Sequence, residues 1–257
     1  MVKKIITHYT VITAVALVGA AGAAAALGGL SDEFDSPALA GWNVMQGDLQ
    51  DGVATNYGVA AGELTVVPGR SWWVDDVRAF YLYKDVRRDF KATVRLNVTG
   101  KSTPLPTADW SLSGLLVRKP TDDRENENWL SFRTGAVAGG AVLERKTTRR
   151  SHSDLVLDPV APGWIELRVA RIGPKFVLLR RSPGQNWKLH WVYPRFDLPA
   201  QLEVGLDAFS GFDDTKADLV SHVDYIHFAP TGVPAKLKKR YLTGRVGVRK
   251  LLPYLMR

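Results

Sequence analysis

Three short runs between Ser113 and Lys146 set ionisable and aromatic side chains at alternate positions. Arg118 ends Gly114–Arg118, Trp129 and Arg133 frame Trp129–Arg133, and Glu144 and Lys146 fall in Ala141–Lys146. Alternation of apolar and polar residues is the mark of strands with one buried face. Leu115, Val117, Leu130, Phe132 and Leu143 then point to a core, and the opposite face collects Arg118, Trp129, Ser131, Arg133, Glu144 and Lys146. Asp207, in the run Leu202–Phe209, adds an acid to this set, with Trp110 and Tyr81 as neighbours. An indole stacks on the apolar face of a ring, while guanidinium and carboxylate groups bond hydroxyls. The set suits ligand binding, of a sugar above all. It is also the composition of an ordinary solvated sheet.

Catalysis asks for more than this. Cleavage of a glycosidic bond uses two carboxylates, about 5–5.5 Å apart in a retaining enzyme. Glu203 and Asp207 share a strand face four residues apart, about 13 Å along an extended chain, which is too far. Glu144 stands alone on its strand, so a cross-strand pair of Glu144 with Asp207 is the arrangement left open. The residues lean against catalysis without deciding it. Cysteine is absent, which removes thiolate nucleophiles and thiolate metal sites. Of the histidines, His222 and His227 are five apart on one run and so face opposite sides of a regular strand. There is no G-x-S-x-G elbow.

The elements that must position these residues are strands throughout. About twelve runs, from Trp42–Met45 and Glu63–Val67 to Leu202–Phe209 and Val220–Ala229, recur at 8–15-residue spacing. Phe90–Val98 alternates most clearly, and Lys146–Ser153 reads as a basic turn. No helix interrupts residues 31–229, which predicts an all-β sandwich or jelly roll of two antiparallel sheets.

The two ends differ from this body. Met1–Leu30 opens with Lys3 and Lys4 and then runs from Ile5 to Leu30 without a charged side chain. A positive start, an apolar stretch and small residues such as Ala23, Ala25 and Ala26 make an apolar helix that reads as an export signal or an uncleaved membrane anchor. The expected product is exported: periplasmic, secreted or anchored. Residues 230–257 form a basic tail with eight Lys and Arg and no acid, which equals the whole net charge of +8. The body is therefore not basic, and nucleic acid is an unsuited partner. The tail, with Leu237, Tyr241, Leu242, Leu251 and Leu252 among its cations, suits an anionic membrane surface; it equally suits packing on the sandwich with its charges solvated. Gly244, Gly247 and Pro253 argue against one continuous helix.

The runs SGLLVR…NWLSF…VLERKTT, WIELRVARIG…FVLLRRSPGQNWKL and GLDAFSG…VDYIHFA together resemble the concanavalin A-like lectin/glucanase superfamily, and most of all its small secreted bacterial domains. The resemblance covers Asp32 to Ala229. It implies a jelly-roll sandwich of two curved sheets with the concave face as a carbohydrate groove. It also implies that the first and last strands, near Asp35 and Asp224, lie side by side, and suggests a structural calcium ion held by those two aspartates with backbone carbonyls. Asp32–Asp35, DEFD, resembles the opening of laminarinase and lichenase-type enzymes, but their E-x-D-x-x-E run is absent. The resulting expectation is an exported, non-catalytic, lectin-like protein that binds glycans or cell-envelope polysaccharide. Its ligand-binding residues are then Arg118, Trp129, Arg133, Glu144, Lys146 and Asp207. A glycoside hydrolase or lyase on the same fold, or a structural envelope-associated protein, are the alternatives.

Overall fold

A computed structural model describes residues 27–212 and 216–257. The segment 1–30, expected to be an export signal or anchor, therefore lies outside the described residues, apart from its last four positions. Fourteen strands are described: β1 (Asn43–Met45), β2 (Asn56–Ala60), β3 (Glu63–Val67), β4 (Phe80–Arg87), β5 (Lys91–Thr99), β6 (Ser111–Arg118), β7 (Asn128–Val137), β8 (Gly140–Arg149), β9 (His152–Pro159), β10 (Ile165–Ile172), β11 (Lys175–Arg181), β12 (Lys188–Pro194), β13 (Gln201–Phe209) and β14 (Val220–Ala229). They form two seven-stranded sheets, ordered β1-β4-β13-β6-β7-β8-β9 and β12-β11-β10-β5-β14-β3-β2. Neighbouring strands are antiparallel throughout.

The sandwich follows from the alternation. Leu115 and Val117, Leu130 and Phe132, Leu143, and Leu202, Val204 and Leu206 meet Ala92, Val94, Leu96, Val98, Leu167 and Val169 in one core between the sheets. Polar residues at the intervening positions are thereby turned to the two outer faces. The chain segment before β1 closes on the last strand, Asp32 and Ile226 exchanging two backbone hydrogen bonds of 2.9 Å.

Each outer face is roofed by another part of the chain. Over the second sheet, α1 (Ala235–Leu242), a 3-10 turn (Val248–Lys250) and α2 (Leu252–Leu255) bring Tyr241, Leu251 and Leu255 onto Ala170, Ile172, Val177, Leu179 and Trp187. Leu251 and Leu255 are fully buried there, each worth about 1.5–3 kcal/mol relative to exposure. Pro253 sits in the first turn of α2 and not between elements, whereas Gly244 and Gly247 divide the tail as expected. Its apolar side, which a lipid surface would need, is turned onto the protein instead. Over the first sheet, residues 70–78 cross the strands and carry Trp73 down onto Tyr81 and Trp129.

Candidate functional site

The outer face of the first sheet is a grid set by strand register. One row runs Asp85, Glu203, Arg118, Trp129, Thr148 across β4, β13, β6, β7 and β8. The next runs Tyr83, Gly205, Leu116, Ser131, Lys146, and a third runs Tyr81, Asp207, Gly114, Arg133, Glu144. All six residues expected to bind ligand therefore stand on one face. None is open to solvent. Arg118 and Lys146 are 1% and 3% exposed, and Trp129, Arg133, Glu144 and Asp207 are at 0%.

Burial forces these charges to pair. Arg133 lies between two acids: its Nε donates to Asp207 Oδ2 at 2.6 Å and its Nη1 to Glu144 Oε1 at 2.5 Å. Gly114 separates Asp207 from Arg133 in the row, and a Cβ there would meet the Phe132 carbonyl oxygen at 2.3 Å. A residue without a side chain lets the guanidinium cross the strand. Lys146 Nζ sits 3.1 Å from Glu144 Oε2 and donates to the Trp73 carbonyl at 2.9 Å. Burial pushes the Glu144 carboxyl up, but Lys146 and Arg133 together hold it below the usual range. Burial also pushes Asp207 up, and here Arg133 does not fully reverse it. The Lys146 ammonium is lowered by burial against the pull of Glu144. At the other end of the grid Arg118 binds Glu127 Oε2 (2.9 Å) and Glu203 Oε2 (2.6 Å), and Arg78 binds Glu127 Oε1 (2.6 Å).

Beside this network lies a cavity of about 160 Å³. Five aromatic residues line it: Trp72, Trp73, Trp110, Phe209 and Phe212. Val74 and Leu155 complete the apolar wall, and Lys146 is the single ionisable residue among the described residues of the lining. Trp72 meets Phe212 edge to face with centroids 5.1 Å apart. The Lys146 ammonium is 5.9 Å from the ring centres of Trp110 and Phe209. Trp110 adopts φ +52°, a left-handed backbone unusual for a bulky residue. Asp109 Oδ1 fixes that turn by accepting from the Trp110 amide (2.9 Å) and the Ala138 amide (2.6 Å). Strain held in place this way aims an indole at a cavity.

The register that gathers the expected residues thus places five of them behind the cavity wall, with Lys146 in the wall itself. The sequence reading missed Trp72, Trp73, Phe209 and Phe212 as wall residues. The available signal was a Trp pair set in a turn with Asp75 and Asp76, where no strand needed it. Glu144 and Asp207 do come together across strands, but through Arg133. Elsewhere, Asp35 is exposed and the Asp224 carboxylate is bonded by Arg95 Nη1 at 2.5 Å. A guanidinium already seated on that carboxylate makes the two aspartates a poor fit for calcium. Among the described residues no group of three or more His, Cys, Asp or Glu assembles to hold a metal ion.

No family model matches this chain, and no curated protein matches it. Solved structures do. A functionally unknown protein from Saccharomyces cerevisiae is similar over 75% of this chain and 97% of its own, at 17% identity and a TM-score of 0.58. A GH43 protein from Bacillus licheniformis is similar over 78% of this chain, at 14% identity and a TM-score of 0.60. The chain spans only 39% of that protein's length. A pseudo β-1,3-glucanase and immunostimulatory antigen of Mycobacterium tuberculosis is similar over 78% of this chain and 97% of its own, at 12% identity and a TM-score of 0.52. The fold is a β-sandwich shared with glycoside-hydrolase-like structures. At these identities the likeness shows the fold alone.

Proposed function

We propose that this protein is a non-catalytic carbohydrate-binding module that seats a sugar between Trp72 and Trp110, with Lys146 at the floor of the site. The observation that carries this is the composition of the cavity wall: among the described residues it has five aromatic rings, one ammonium and no carboxylate. Aromatic faces take the C–H faces of sugar rings. The Lys146 ammonium donates to the Trp73 carbonyl and is ion-paired with Glu144, and of its three donors at least one is left for a ligand oxygen. Hydrolysis needs two carboxylates flanking the scissile bond. Glu144 and Asp207, the two acids that come together on this sheet face, are fully buried and tied to one guanidinium. Together with the apolar N-terminal segment, this makes an exported module acting on glycans or cell-envelope polysaccharide. A ligand-free structural role is the second reading, favoured by the roof that Trp73 lays over the sheet, packed with Tyr81, Trp129 and Phe209 of its strands.

A glycan array followed by titration of the strongest hit tests this. Trp72→Ala and Trp110→Ala should each weaken binding about tenfold, since a stacking contact contributes about 0.5–1.5 kcal/mol beyond its buried area. Both residues are half-buried, so thermal stability should change little. Saturable binding that ignores both substitutions would remove the cavity from the reading. Silence on every glycan would leave the structural role.

A further inference from the structure

We propose that the cavity is the mouth of a deeper site for an uncharged saccharide, closed here by the segment Ser71–Val77 and reached when that segment lifts. This rests on the carbohydrate reading above and adds to it the charge of the ligand and the gate.

Three buried atoms on this face have neither a hydrogen-bond nor an ion-pair partner among the described residues: Trp129 Nε1, Ser131 Oγ and Asp207 Oδ1; Arg133 Nη2 and Glu144 Oε2 also lack a hydrogen bond but are held in ion pairs. All three residues are at 0% exposure. Buried polar groups are nearly always hydrogen-bonded, so three orphans on one sheet face point to a partner that the fold does not itself supply. They comprise a donor, a hydroxyl that does either, and an acceptor. Sugar hydroxyls, which both donate and accept, answer all three. The charges around them cancel: Arg133 and Lys146 stand against Glu144 and Asp207. A neutral polyol meets no uncompensated charge there, whereas an anionic or cationic ligand would leave one behind.

The covering segment is attached in a way that permits lifting. Asp75 and Ser153 form a reciprocal latch, each backbone amide donating to the other's side-chain oxygen at 2.8 Å. Asp75 is exposed and left-handed at φ +52°, so water competes for both bonds. The Asp76 carbonyl accepts from Arg124 Nη1 at 3.0 Å, also at the surface. Trp73 Nε1 reaches the Phe80 carbonyl only at 3.5 Å, the outer limit of a hydrogen bond. What holds the segment down is Trp73 stacked edge-on against Trp129 and Tyr81, together with the Lys146 ammonium donating to the Trp73 carbonyl at 2.9 Å and the Ser71 amide donating to the Ser210 carbonyl at 3.2 Å; a sugar ring would replace the aromatic contact and its hydroxyls the Lys146 bond.

The chain contains no cysteine, so the double variant Asp75→Cys, Ser153→Cys would form a single disulfide that ties the segment shut. Binding is read by calorimetry with cellopentaose, maltopentaose, xylopentaose and laminaripentaose, and with a pentameric oligogalacturonate as the charged control. Binding of a neutral pentaose should fall at least tenfold in the oxidised variant and return on reduction. Asp75→Ala, which removes the half of the latch that the Asp75 carboxylate accepts, should bind two- to fivefold more tightly than the native chain and speed amide exchange across Ser71–Val77. Equal affinity in the oxidised and reduced forms would overturn the gate while leaving the Trp72–Trp110 site standing. Preference for the oligogalacturonate would overturn the uncharged ligand. If no form binds any sugar, the carbohydrate reading and this inference fall together.

Discussion

The two outer faces of the sandwich solve the same problem in opposite ways. Both carry buried cations beside a tryptophan, and both are roofed by another part of the chain. On the first sheet Arg133 lies 5.5 Å from the centre of the Trp129 ring and is answered by two carboxylates. On the second, Arg168 lies 4.0 Å from the centre of the Trp187 ring and is answered by neutral oxygens: Thr93 Oγ1 (2.8 Å) and the Leu255 carbonyl (2.6 Å). The consequence shows in the titration of the two guanidinium groups. Burial works against the charge of Arg133, but Asp207 and Glu144 raise it above the ordinary value. Arg168 has no such support, and burial lowers it to about 10. A cation held by acids keeps its place whether or not the roof is present. A cation held by the roof's own carbonyls is a clasp for that roof. The first arrangement suits a face that must survive opening, the second a face that stays shut.

Breaking each network should expose this difference. Arg133→Met leaves two buried carboxylates facing each other without their shared cation and should cost about 3–5 kcal/mol, the range for a broken buried ion pair. Urea unfolding measures it, and a loss below about 1 kcal/mol would mean the acids find water or protons instead. Leu255→Ala strikes the roof of the second sheet and should cost about 2–5 kcal/mol, as for other buried leucines. Faster amide exchange confined to residues 235–257 would accompany it; uniform exchange across the sandwich would deny that the tail opens by itself. Arg168→Met removes a cation but strands only neutral acceptors, and should cost about 1–3 kcal/mol. Should Arg168→Met prove as damaging as Arg133→Met, the contrast between the two faces fails.

Much of this contrast was legible in the strands and little in the roofs. The alternation in Gly114–Arg118, Trp129–Arg133 and Ala141–Lys146 sorted core from outer face, because one-sided burial compels a period of two. It gave no sign that the outer face is buried too. That depends on Trp72 and Trp73, some forty to seventy residues earlier, folding across the sheet. The strands β2 and β9 were missed, and β9 was read as part of a basic turn. Both are edge strands with mixed exposure along their length, so nothing enforces a clean alternation. In β14 a bulge between Val223 and Tyr225 shifts the register. His222 and His227 therefore do not face opposite sides. Both point outward, bonded to Glu63 (2.7 Å) and Glu33 (2.5 Å). A one-residue bulge reverses every later side chain in a strand, and it leaves no mark in the sequence pattern.

The smallest effect expected is also the most specific to the clasp. Lys91 Nζ donates to the Arg257 carbonyl at 3.1 Å and to the Tyr254 carbonyl at 3.4 Å. Burial, with repulsion from Arg168 and Arg257, lowers its ammonium from 10.5 to about 8. Between those two values the unfolded chain binds more protons at Lys91 than the folded one, so stability rises with pH across that window. Below about pH 8 both states are charged and the contribution no longer changes. Tyr241, in the same interface, works in the other direction at higher pH. Burial raises its phenol above 10, so its ionisation favours the unfolded chain once the pH passes the ordinary tyrosine value. The window that isolates Lys91 is therefore pH 8 to 9.5. Within it the native chain should gain stability relative to Lys91→Met, measured by urea unfolding at each pH. A difference that stays flat would mean that Lys91 is solvated in the folded chain and takes no part in the clasp. Lys146, on the face of the first sheet, is also lowered by burial against the pull of Glu144, so any rise it contributes is present in both chains and cancels in the comparison with Lys91→Met.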